Sequence, residues 1–482
     1  MDKKNFYITT TLPYVNSEAH LGHALEFVRA DVVARYKKLQ GFEVFFNTGT
    51  DEHGIKIFNK AKEVGVTPQA YVDDYAKRFK DLLPKLGIME DINFIRTTDP
   101  DHIKSAQTFW QQCMANGFIE KKKYSIKYCV GCELEKTNSE LVNDCCPEHP
   151  NMELENIDEE NYFFKFSDFQ EKLLKLYSDN PDFVIPSFRF NEIKAFVSRG
   201  LSDFSISRLK TKMPWGIEVP GDPDQVMYVW FDALVNYVAA IGWPEDMEKF
   251  NKWWPVTQYC GKDNLRQQSA MWQAMLMSVN LPPSKQIIIN GFVTAEGGVK
   301  MSKSLGNVIS PLDVIRDYGT ETLRYFVLRE IHPFEDTPFT AEGLKNAYNA
   351  NLANGLGNLT SRVLKMAESY NVSLPANEVA EILSEDLPTE YTESFAGFKL
   401  NMAMDYVWSL IKNSDTYIQR EQPFKKIKID KAAAELDVKN LLVELVKIGR
   451  LLEPLLPETA KKVIEAVKEG KALATPLFMR KE

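Results

Sequence analysis

The sequence lacks the features of a protein that lies in or across a membrane. No apolar run in its 482 residues approaches the roughly 20 residues that a membrane helix needs, and Met1–Tyr14 contain no secretory apolar core. A basic surplus is also absent, because 58 Lys and Arg against 67 Asp and Glu give a net charge of −9. This balance excludes a uniformly basic nucleic-acid-binding coat, although it is compatible with a local basic face. Internal repeats and low-complexity tracts are missing too, and we expect a cytoplasmic globular protein of about three domains.

The first part of the chain alternates between strand and helix patterns. Residues Asn5–Leu12 have the pattern of a strand, and apolar residues of Ala24–Gln40 recur at steps of three and four, as on one helix face. A second strand pattern follows at Phe42–Phe46. Strand, helix and strand within about forty residues form a βαβ unit, which predicts a parallel sheet. Further strand patterns are Val226–Phe231, Val256–Cys260 and Gln286–Val293.

Two regions depart from this alternation. Residues Asn116–Arg189 contain a cysteine cluster and an acidic stretch, and we interpret them as an insertion between two halves of an α/β domain. After about Asn346 the strand patterns disappear, which predicts an all-α bundle. The helical patterns there are Ala347–Tyr370, Ala396–Gln419, Ala432–Leu452 and Ala460–Lys468.

Two histidines stand at the turn from the first predicted strand into the first predicted helix. His20 and His23 are three residues apart, so they share a face at the helix N-terminus. The unpaired backbone N–H groups and the positive dipole end make this a favourable place for phosphate. Gly22 lets a ligand approach closely, and the imidazoles can donate to phosphate oxygens in a transition state. Incidental histidines near a helix cap are the alternative.

A glycine-flanked lysine segment follows the strand pattern that ends near Val293. It contains Lys300, Ser302, Lys303 and Ser304 between Gly297-Gly298 and Gly306. Lysines supply point charges and serines supply short donors, a combination that suits a polyphosphate. A solvated basic loop is the alternative interpretation.

The cysteine cluster has the spacing of a metal site. Cys129 and Cys132 are followed by Cys146 and His149 in the pattern C-x₂-C-x₁₃-C-x₂-H. Two short chelating turns can close a tetrahedral Cys₃His zinc site, which is structural because no coordination position stays open. Cys145 could replace Cys146 as a ligand, and four unligated thiols are the other alternative.

The two phosphate-binding patterns together resemble the signature motifs of class I aminoacyl-tRNA synthetases, and nearly the whole chain resembles the methionyl-tRNA synthetase family. The matching stretches are Thr11–His23, Gly49–Gly54, Arg199–Leu201, Tyr228–Ala233 and Gly261–Asp263, together with Lys300–Ser304. The cysteine spacing resembles the single zinc knuckle in that family's insertion.

This resemblance implies a fold and a domain order. The fold is α/β, with a Rossmann-like parallel-sheet catalytic domain whose halves span residues 1–115 and 190–310. A connective insertion with the zinc knuckle spans 116–189. A stem-contact linker spans 311–345, and an α-helical anticodon-binding domain spans 346–482. We expect no counterpart of the appended C-terminal domain that some family members carry, and this favours a monomer.

The resemblance also implies a reaction in two steps. Methionine attacks the α-phosphorus of ATP, pyrophosphate leaves, and the methionyl group of the adenylate then passes to the terminal adenosine of tRNA(Met). His20, His23, Lys300 and Lys303 are the implied catalytic residues, and magnesium accompanies ATP. The implied ATP-binding set adds Gly22, Gly261, Asp263 and Ser302.

An amino acid pocket and an anticodon site follow from the same resemblance. Leu12, Tyr14, Trp230, Ala233 and Tyr237 match pocket positions, and Asp51 matches the carboxylate that pairs with the substrate ammonium. Leu234, Asn264 and Gln268 depart from the family pattern, where proline, an aliphatic residue and histidine are usual, and Gln268 could still hydrogen-bond in the pocket. Asn358, Arg362 and Phe424 match anticodon-reading positions, with Phe424 in place of the usual tryptophan.

Other protein classes fit the motifs less well. A small-substrate nucleotidyltransferase would share the histidine pattern but would not need a helical bundle. A non-catalytic tRNA-binding paralogue would be expected to lose one of the two motifs. The cysteine-activating relative would hold zinc in the amino acid pocket, whereas the cysteines here lie in the insertion.

Overall fold

The computed structural model describes residues 4–131, 134–136, 141–298 and 309–482, and for residues 124–126, 134–135 and 157–158 it describes the backbone alone. Four predicted site residues, Cys132, Lys300, Ser302 and Lys303, lie outside the described residues.

Strands and helices alternate through the first two thirds of the chain. The strands, numbered in chain order, are β1 Asn5–Thr9, β2 Glu43–Thr50, β3 Asn93–Arg96, β4 Ile119–Cys129, β5 Leu134–Lys136, β6 Glu155–Phe164, β7 Val184–Ile185, β8 Phe204–Ser205, β9 Ser207–Leu209, β10 Glu218–Val219, β11 Asp222–Met227, β12 Val256–Gly261, β13 Gln286–Asn290, β14 Val293–Thr294 and β15 Thr337–Pro338. The α-helices are α1 Leu21–Leu39, α2 Ile55–Glu63, α3 Pro68–Lys85, α4 Pro100–Ala115, α5 Gln170–Asp179, α6 Ser187–Ser198, α7 Val229–Leu234, α8 Asn236–Ala239, α9 Met247–Trp253, α10 Trp272–Ser278, α11 Pro311–Tyr318, α12 Thr320–Tyr325, α13 Ala341–Ala347, α14 Asn358–Tyr370, α15 Ala376–Ser384, α16 Thr389–Ala396, α17 Leu400–Glu421, α18 Pro423–Lys426, α19 Lys431–Leu452 and α20 Pro457–Glu469.

The central sheet has six parallel strands in the order β3-β2-β1-β12-β13-β7. The predicted βαβ unit is confirmed as β1, α1 and β2, and β1 pairs in parallel with both β2 and β12. Neighbouring residues of β1 point to opposite faces, so that Ile8 joins the core on the α1 side and Tyr7 joins the core on the other side. The predicted α/β parallel-sheet fold is therefore confirmed.

Two predicted strands differ from the structure. The pattern over Val226–Phe231 is wrong as a single strand, because β11 ends at Met227 and α7 begins at Val229. Packing overrides β propensity there, since Phe231 is buried with its ring 5.3 Å from that of Trp110 in α4. The pattern over Gln286–Val293 is interrupted at Gly291, where a Cβ would lie 2.3 Å from the backbone of Glu335.

The insertion contributes three strands to an antiparallel sheet of order β5-β4-β6-β8, whose last strand comes from the chain after the insertion. Strands β10-β11-β9, also after the insertion, form a second antiparallel sheet. The chain passes between this region and the central sheet more than once, because β7 pairs with β13 whereas the later strand β8 pairs with β6. The domain boundaries given above therefore stay predictions.

After residue 346 the chain is helical, as predicted, and it packs directly on α1. A π-helical segment, Tyr348–Gly357, continues into α14, and α15 to α20 follow. The ring of Tyr36 in α1 stacks on Phe395 of α16 at 3.9 Å. Buried Asp31 of α1 also accepts from Arg324 of α12, which precedes the bundle, at 2.8 Å. In the described part of the chain, no helix is both long and apolar enough to cross a membrane.

Candidate active site

A cavity of 370 Å³ opens at the carboxyl ends of the central strands. β1 is flanked by β2 on one side and by β12, from much later in the chain, on the other. Such a change in strand order leaves a crevice where ligands of α/β proteins bind. The cavity lining includes twelve of the residues that the sequence predicts for ATP and methionine: Leu12, Tyr14, His20, Gly22, His23, Asp51, Trp230, Ala233, Tyr237, Gly261, Asp263 and Gln268.

The two histidines cap α1 with their own side chains. His20 is the N-cap residue, and its Nδ1 accepts from the backbone N–H of Gly22 at 3.1 Å. The Nδ1 of His23 accepts from the backbone N–H of His20 at 3.3 Å. A neutral imidazole that accepts at Nδ1 carries its proton at Nε2, so each ring presents an Nε2–H donor.

Gly22 has a role that the sequence argument did not identify. A Cβ at this position would lie 3.0 Å from the His20 ring, so the absence of a side chain lets that imidazole fold over the backbone. His23 in turn contacts the Phe79 ring edge-on at 5.4 Å. Burial, and to a lesser degree the neighbouring His20, hold the pKa of His23 well below its usual value. His23 is therefore a neutral donor.

Asp51 lies where β2 ends, and the chain around it is held on both sides. Its backbone N–H donates to Pro13 O at 2.9 Å, and Asp51 O accepts from Val15 at 3.2 Å. The next residue, Glu52, points away from the cavity and accepts two hydrogen bonds from Arg96, at 2.7 and 2.9 Å. Asp51 therefore presents its carboxylate at the cavity wall from a fixed backbone.

The aromatic side of the cavity is formed by α7, α8 and the segment after β12. Trp230 and Ala233 come from α7, and Tyr237 comes from α8. Gln268 donates from Nε2 to the Tyr237 hydroxyl at 2.8 Å, and its Oε1 accepts from Gln258 at 2.8 Å. Gln268 thus hydrogen-bonds in the pocket, as the sequence analysis allowed. Leu234 and Asn264, the other two departures from the family pattern, also line the cavity.

Glu26 is a cavity residue that the sequence analysis missed. Its Oε1 accepts from the backbone N–H and the hydroxyl of Thr11, both at 2.6 Å. Burial raises the pKa of Glu26 to about 8, with the nearby Asp263 adding to the rise and the Thr11 hydrogen bonds opposing it. Glu26 stands three residues after His23 in α1, and this helical spacing could have revealed it.

Lys56 is a second missed residue and links the cavity to the insertion. It lines the cavity, and its ammonium donates to Gly131 O at 2.9 Å. The same ammonium lies 6.0 Å from the centre of the Tyr14 ring. Nothing in the local sequence pattern around Lys56 indicates this contact.

Comparison with known proteins identifies the family. A family model described as tRNA synthetases class I (M) matches residues 6–156 and 151–364. The methionine–tRNA ligase of Caldanaerobacter subterraneus subsp. tengcongensis is 40% identical over 475 residues, which span 96% of this chain and 74% of that protein. The corresponding ligase of Thermotoga maritima is 39% identical over 478 residues, 96% of this chain and 75% of that protein. The chain belongs to the methionine–tRNA ligase family.

A solved structure of another member of the methionine–tRNA ligase family agrees with the fold over the whole length. The Mycobacterium tuberculosis methionyl-tRNA synthetase in complex with methionyl-adenylate has a TM-score of 0.90 and 33% identity, covering 99% of this chain and 100% of that one. The apo form of the same enzyme has a TM-score of 0.82 and 30% identity. The class I ligase fold expected from the sequence is thereby confirmed.

The insertion of this family member holds a group of possible metal ligands. Ligand atoms of Cys129, Cys146 and His149 all lie within 4.8 Å of one another. Gly131 makes room for the imidazole, because a Cβ there would meet the His149 ring at 2.5 Å. The group includes Cys146 and not Cys145, which is half-buried.

Two of the predicted anticodon residues lie on α14, and Phe424 follows α17. Asn358 is exposed at the first position of α14, and Arg362 pairs one turn later with Asp415 of α17 at 3.1 Å. Gln422 at the end of α17 has φ 46°, which turns the chain into α18, where Phe424 is 44% exposed. The ring of Phe424 is therefore accessible at the surface.

Proposed function

We propose that this chain activates methionine with ATP, forming methionyl-adenylate and pyrophosphate, and then transfers the methionyl group to the 3′-terminal adenosine of tRNA(Met). One observation carries the proposal. A single cavity, at the place where the strand order changes, is lined by the histidine pair of α1 and also by Asp51 and Trp230 of the predicted methionine pocket. Family membership and the methionyl-adenylate bound by the Mycobacterium tuberculosis enzyme support the same reaction.

The first step needs positioning and charge stabilisation, because the protein forms no covalent bond. Asp51 pairs with the substrate ammonium, while Trp230, Ala233 and Tyr237 enclose the thioether together with Leu12 and Tyr14. This arrangement leaves the methionine carboxylate to attack the α-phosphorus in line. The Nε2–H groups of His20 and His23 donate to phosphate oxygens as negative charge builds in the transition state. Gly22, Gly261 and Asp263 form the nucleotide end.

Lys300, Ser302 and Lys303 are proposed to hold the β- and γ-phosphates, together with the magnesium that accompanies ATP. These residues lie outside the described part, but the chain on either side of them supports the assignment. Val293 lines the cavity before them. After them, Ile309 O accepts from Leu21 N at the start of α1, at 3.1 Å. The chain therefore lines the cavity before this segment and bonds to the first residue of α1 after it.

Zinc is proposed as a structural ion held by Cys129, Cys132, Cys146 and His149. The donors that the structure describes, two thiols and an imidazole within 4.8 Å of one another, fit the sulfur and nitrogen preference of zinc. Bound zinc would tie the turns of the insertion together.

We also propose that Asn358, Arg362 and Phe424 read the tRNA anticodon. The monomeric state stays a prediction.

Amino-acid-dependent exchange of pyrophosphate into ATP, run with each of the twenty amino acids, tests the proposed function. We expect exchange with methionine and a reduction of roughly 10³-fold in Lys303→Ala with an unchanged melting temperature, since charge stabilisers of phosphoryl transfer contribute on this scale. Exchange that prefers cysteine or another amino acid would refute the substrate assignment. A normal rate in Lys303→Ala would refute the role of the lysine segment.

A further inference from the structure

Behind the proposed methionine pocket, one buried carboxylate lies between two imidazoles. Asp232 Oδ2 is 2.6 Å from His53 Nδ1, and Asp232 Oδ1 is 2.7 Å from His102 Nε2. Asp232 and His102 are fully buried, and His53 is 4% exposed. None of these three side chains lines the cavity, so they have no assigned part in the reaction.

The hydrogen-bond pattern indicates where the His102 ring carries its proton. His102 Nδ1 is buried without a partner among the described residues, so a neutral ring with its proton on Nε2 is the form that leaves no buried donor unsatisfied. Asp232 then accepts from both rings as a carboxylate. Burial alone would raise the pKa of Asp232, but the two histidines outweigh it and hold the pKa below the usual value.

The network connects the two walls of the cavity. His53 stands two residues after Asp51, and Asp232 stands two residues after Trp230 and directly before Ala233. His102 lies on α4 and joins a third element to the same carboxylate. The hydrogen bond from His53 to Asp232 is thus a direct link between the segment that carries the ammonium-binding carboxylate and the helix that carries the side-chain pocket.

The Asp51 segment is otherwise fastened in other directions. Trp215 Nε1 donates to Glu52 O at 2.6 Å, and Gly54 N donates to Trp215 O at 3.0 Å. Arg96 holds the Glu52 side chain toward β3. These contacts hold the Asp51 segment against Trp215 and β3, and none of them joins the segment to α7. The hydrogen bond from His53 to Asp232 makes that connection, and it therefore bears on the separation between Asp51 and Trp230.

We propose that Asp232 is a positioning residue for the amino acid site, which holds Asp51 and Trp230 at the separation that the ammonium and the thioether of one methionine require. This inference rests on the proposed function and deepens it. A pocket wall displaced by about 1 Å weakens recognition strongly, and Asp232 touches neither the substrate nor the reacting atoms.

Steady-state methionine-dependent pyrophosphate exchange, with separate KM values for methionine and ATP, tests the inference on the full chain. In His53→Ala the imidazole donor is lost, and we expect the methionine KM to rise about tenfold or more while the ATP KM changes less than about twofold. His53→Asn keeps an N–H close to the position of Nδ1 and should recover most of the methionine affinity. Asp224→Asn, at an exposed aspartate of β11, is the matched control and should change neither constant.

Equal increases of both KM values together with a lower melting temperature would overturn the inference, because a general structural role has that result. An unchanged methionine KM in His53→Ala would also overturn it, while exchange by the wild type would leave the proposed function intact. If His53→Ala fails to fold, Asp232→Asn is the variant that tests the inference. It keeps the side-chain volume but replaces one carboxylate oxygen with an N–H donor, so that one imidazole loses its acceptor. A severalfold rise of the methionine KM alone is the supporting result, and wild-type values would contradict the inference. A wild-type chain without methionine-dependent exchange would instead refute the proposed function itself.

Discussion

His20 and His23 stack on each other at the beginning of α1, with ring centroids 3.8 Å apart and ring planes 17° apart. Each ring also accepts a backbone hydrogen bond at Nδ1, so the helix start and the two imidazoles hold one another in place. Two stacked rings at this distance disfavour a charge on both at once, and burial keeps the pKa of His23 well below its usual value. In the proposed mechanism the pair therefore acts on phosphate through neutral N–H donors, and the positive charge at the site comes from the helix dipole together with Lys300 and Lys303.

We expect His23→Ala to lower the exchange rate by roughly 10²-fold or more, as for the loss of one donor to a developing oxyanion. His23→Gln keeps an N–H near the Nε2 position and should retain more activity than His23→Ala. Equal losses in the two variants would show that the imidazole does more than donate.

The low pKa of His23 also predicts how stability depends on pH. Its folded-state pKa lies well below the usual 6.5, so below about pH 6.5 the unfolded chain binds a proton that the folded chain does not. This contribution to stability is present above the usual pKa and is lost as the pH falls toward the folded-state pKa. Urea unfolding of His23→Gln should show a shallower loss on acidification than the wild type.

Glu26 predicts a pH effect of the opposite sign. Its pKa is about 8 in the folded chain against a usual 4.5, so between these values the folded chain keeps a proton that the unfolded chain has released. Stability therefore decreases as the pH rises toward 8. Glu26→Gln removes this slope, and its stability relative to the wild type should be higher at about pH 8 than at about pH 5 by at least ~1.4 kcal/mol. A pH-independent difference in the free energy of unfolding would contradict the assigned pKa.

Features that depend on the order of neighbouring residues could be predicted from the sequence, whereas features that depend on contacts between distant segments were missed. His20 and His23 were predicted because they lie in a turn between a strand pattern and a helix pattern. Asp51 and Trp230 were predicted to share one pocket because both match positions of the family that the sequence resembles. Helical spacing places Glu26 one turn after His23, but its raised pKa depends on burial and on the nearby Asp263, which the spacing does not reveal. The local pattern predicts a strand at Phe231. That prediction is wrong because Phe231 packs on Trp110, which belongs to a distant segment of the chain.

Removal of metal should destabilise the insertion without abolishing the fold of the central sheet. Cys129 Sγ lies 3.8 Å from His149 Nδ1, a separation that one bound ion can bridge, and chelation would remove its coordinate bonds. We expect one zinc per chain by elemental analysis and a melting temperature lowered by roughly 5 °C or more after chelation.

The spare cysteine supplies the control for the metal site. Cys146 is buried within the ligand group, whereas Cys145 lies outside it. Cys145→Ser should keep the zinc content, and Cys146→Ser should lower it. Loss of zinc in Cys145→Ser with retention in Cys146→Ser would reverse the ligand assignment.

Gln268 tests the pocket's departure from the family pattern. Its amide lies between Gln258 and the Tyr237 hydroxyl, so Gln268→Leu leaves two buried polar groups without their partner. One such group costs ~1–3 kcal/mol, and we expect the methionine KM to rise about tenfold or more. Gln268→His introduces the usual family residue and should stay within about threefold of the wild type, because an imidazole can also donate to the Tyr237 hydroxyl. A larger loss in the histidine variant than in the leucine variant would show that the pocket has adapted to glutamine.

Phe424 tests the proposed anticodon surface separately from the chemistry of activation. Its ring is 44% exposed at the turn after α17, away from the cavity residues, so a change there should leave methionine-dependent exchange at the wild-type rate. Base stacking on an aromatic ring contributes ~1–3 kcal/mol, and Phe424→Ala should raise the KM for tRNA(Met) in aminoacylation about tenfold. Phe424→Trp restores the usual family residue and a larger stacking surface, and it should match or improve on the wild type. A tRNA KM unchanged in Phe424→Ala, or an equal loss of exchange and aminoacylation, would remove Phe424 from the tRNA-binding surface.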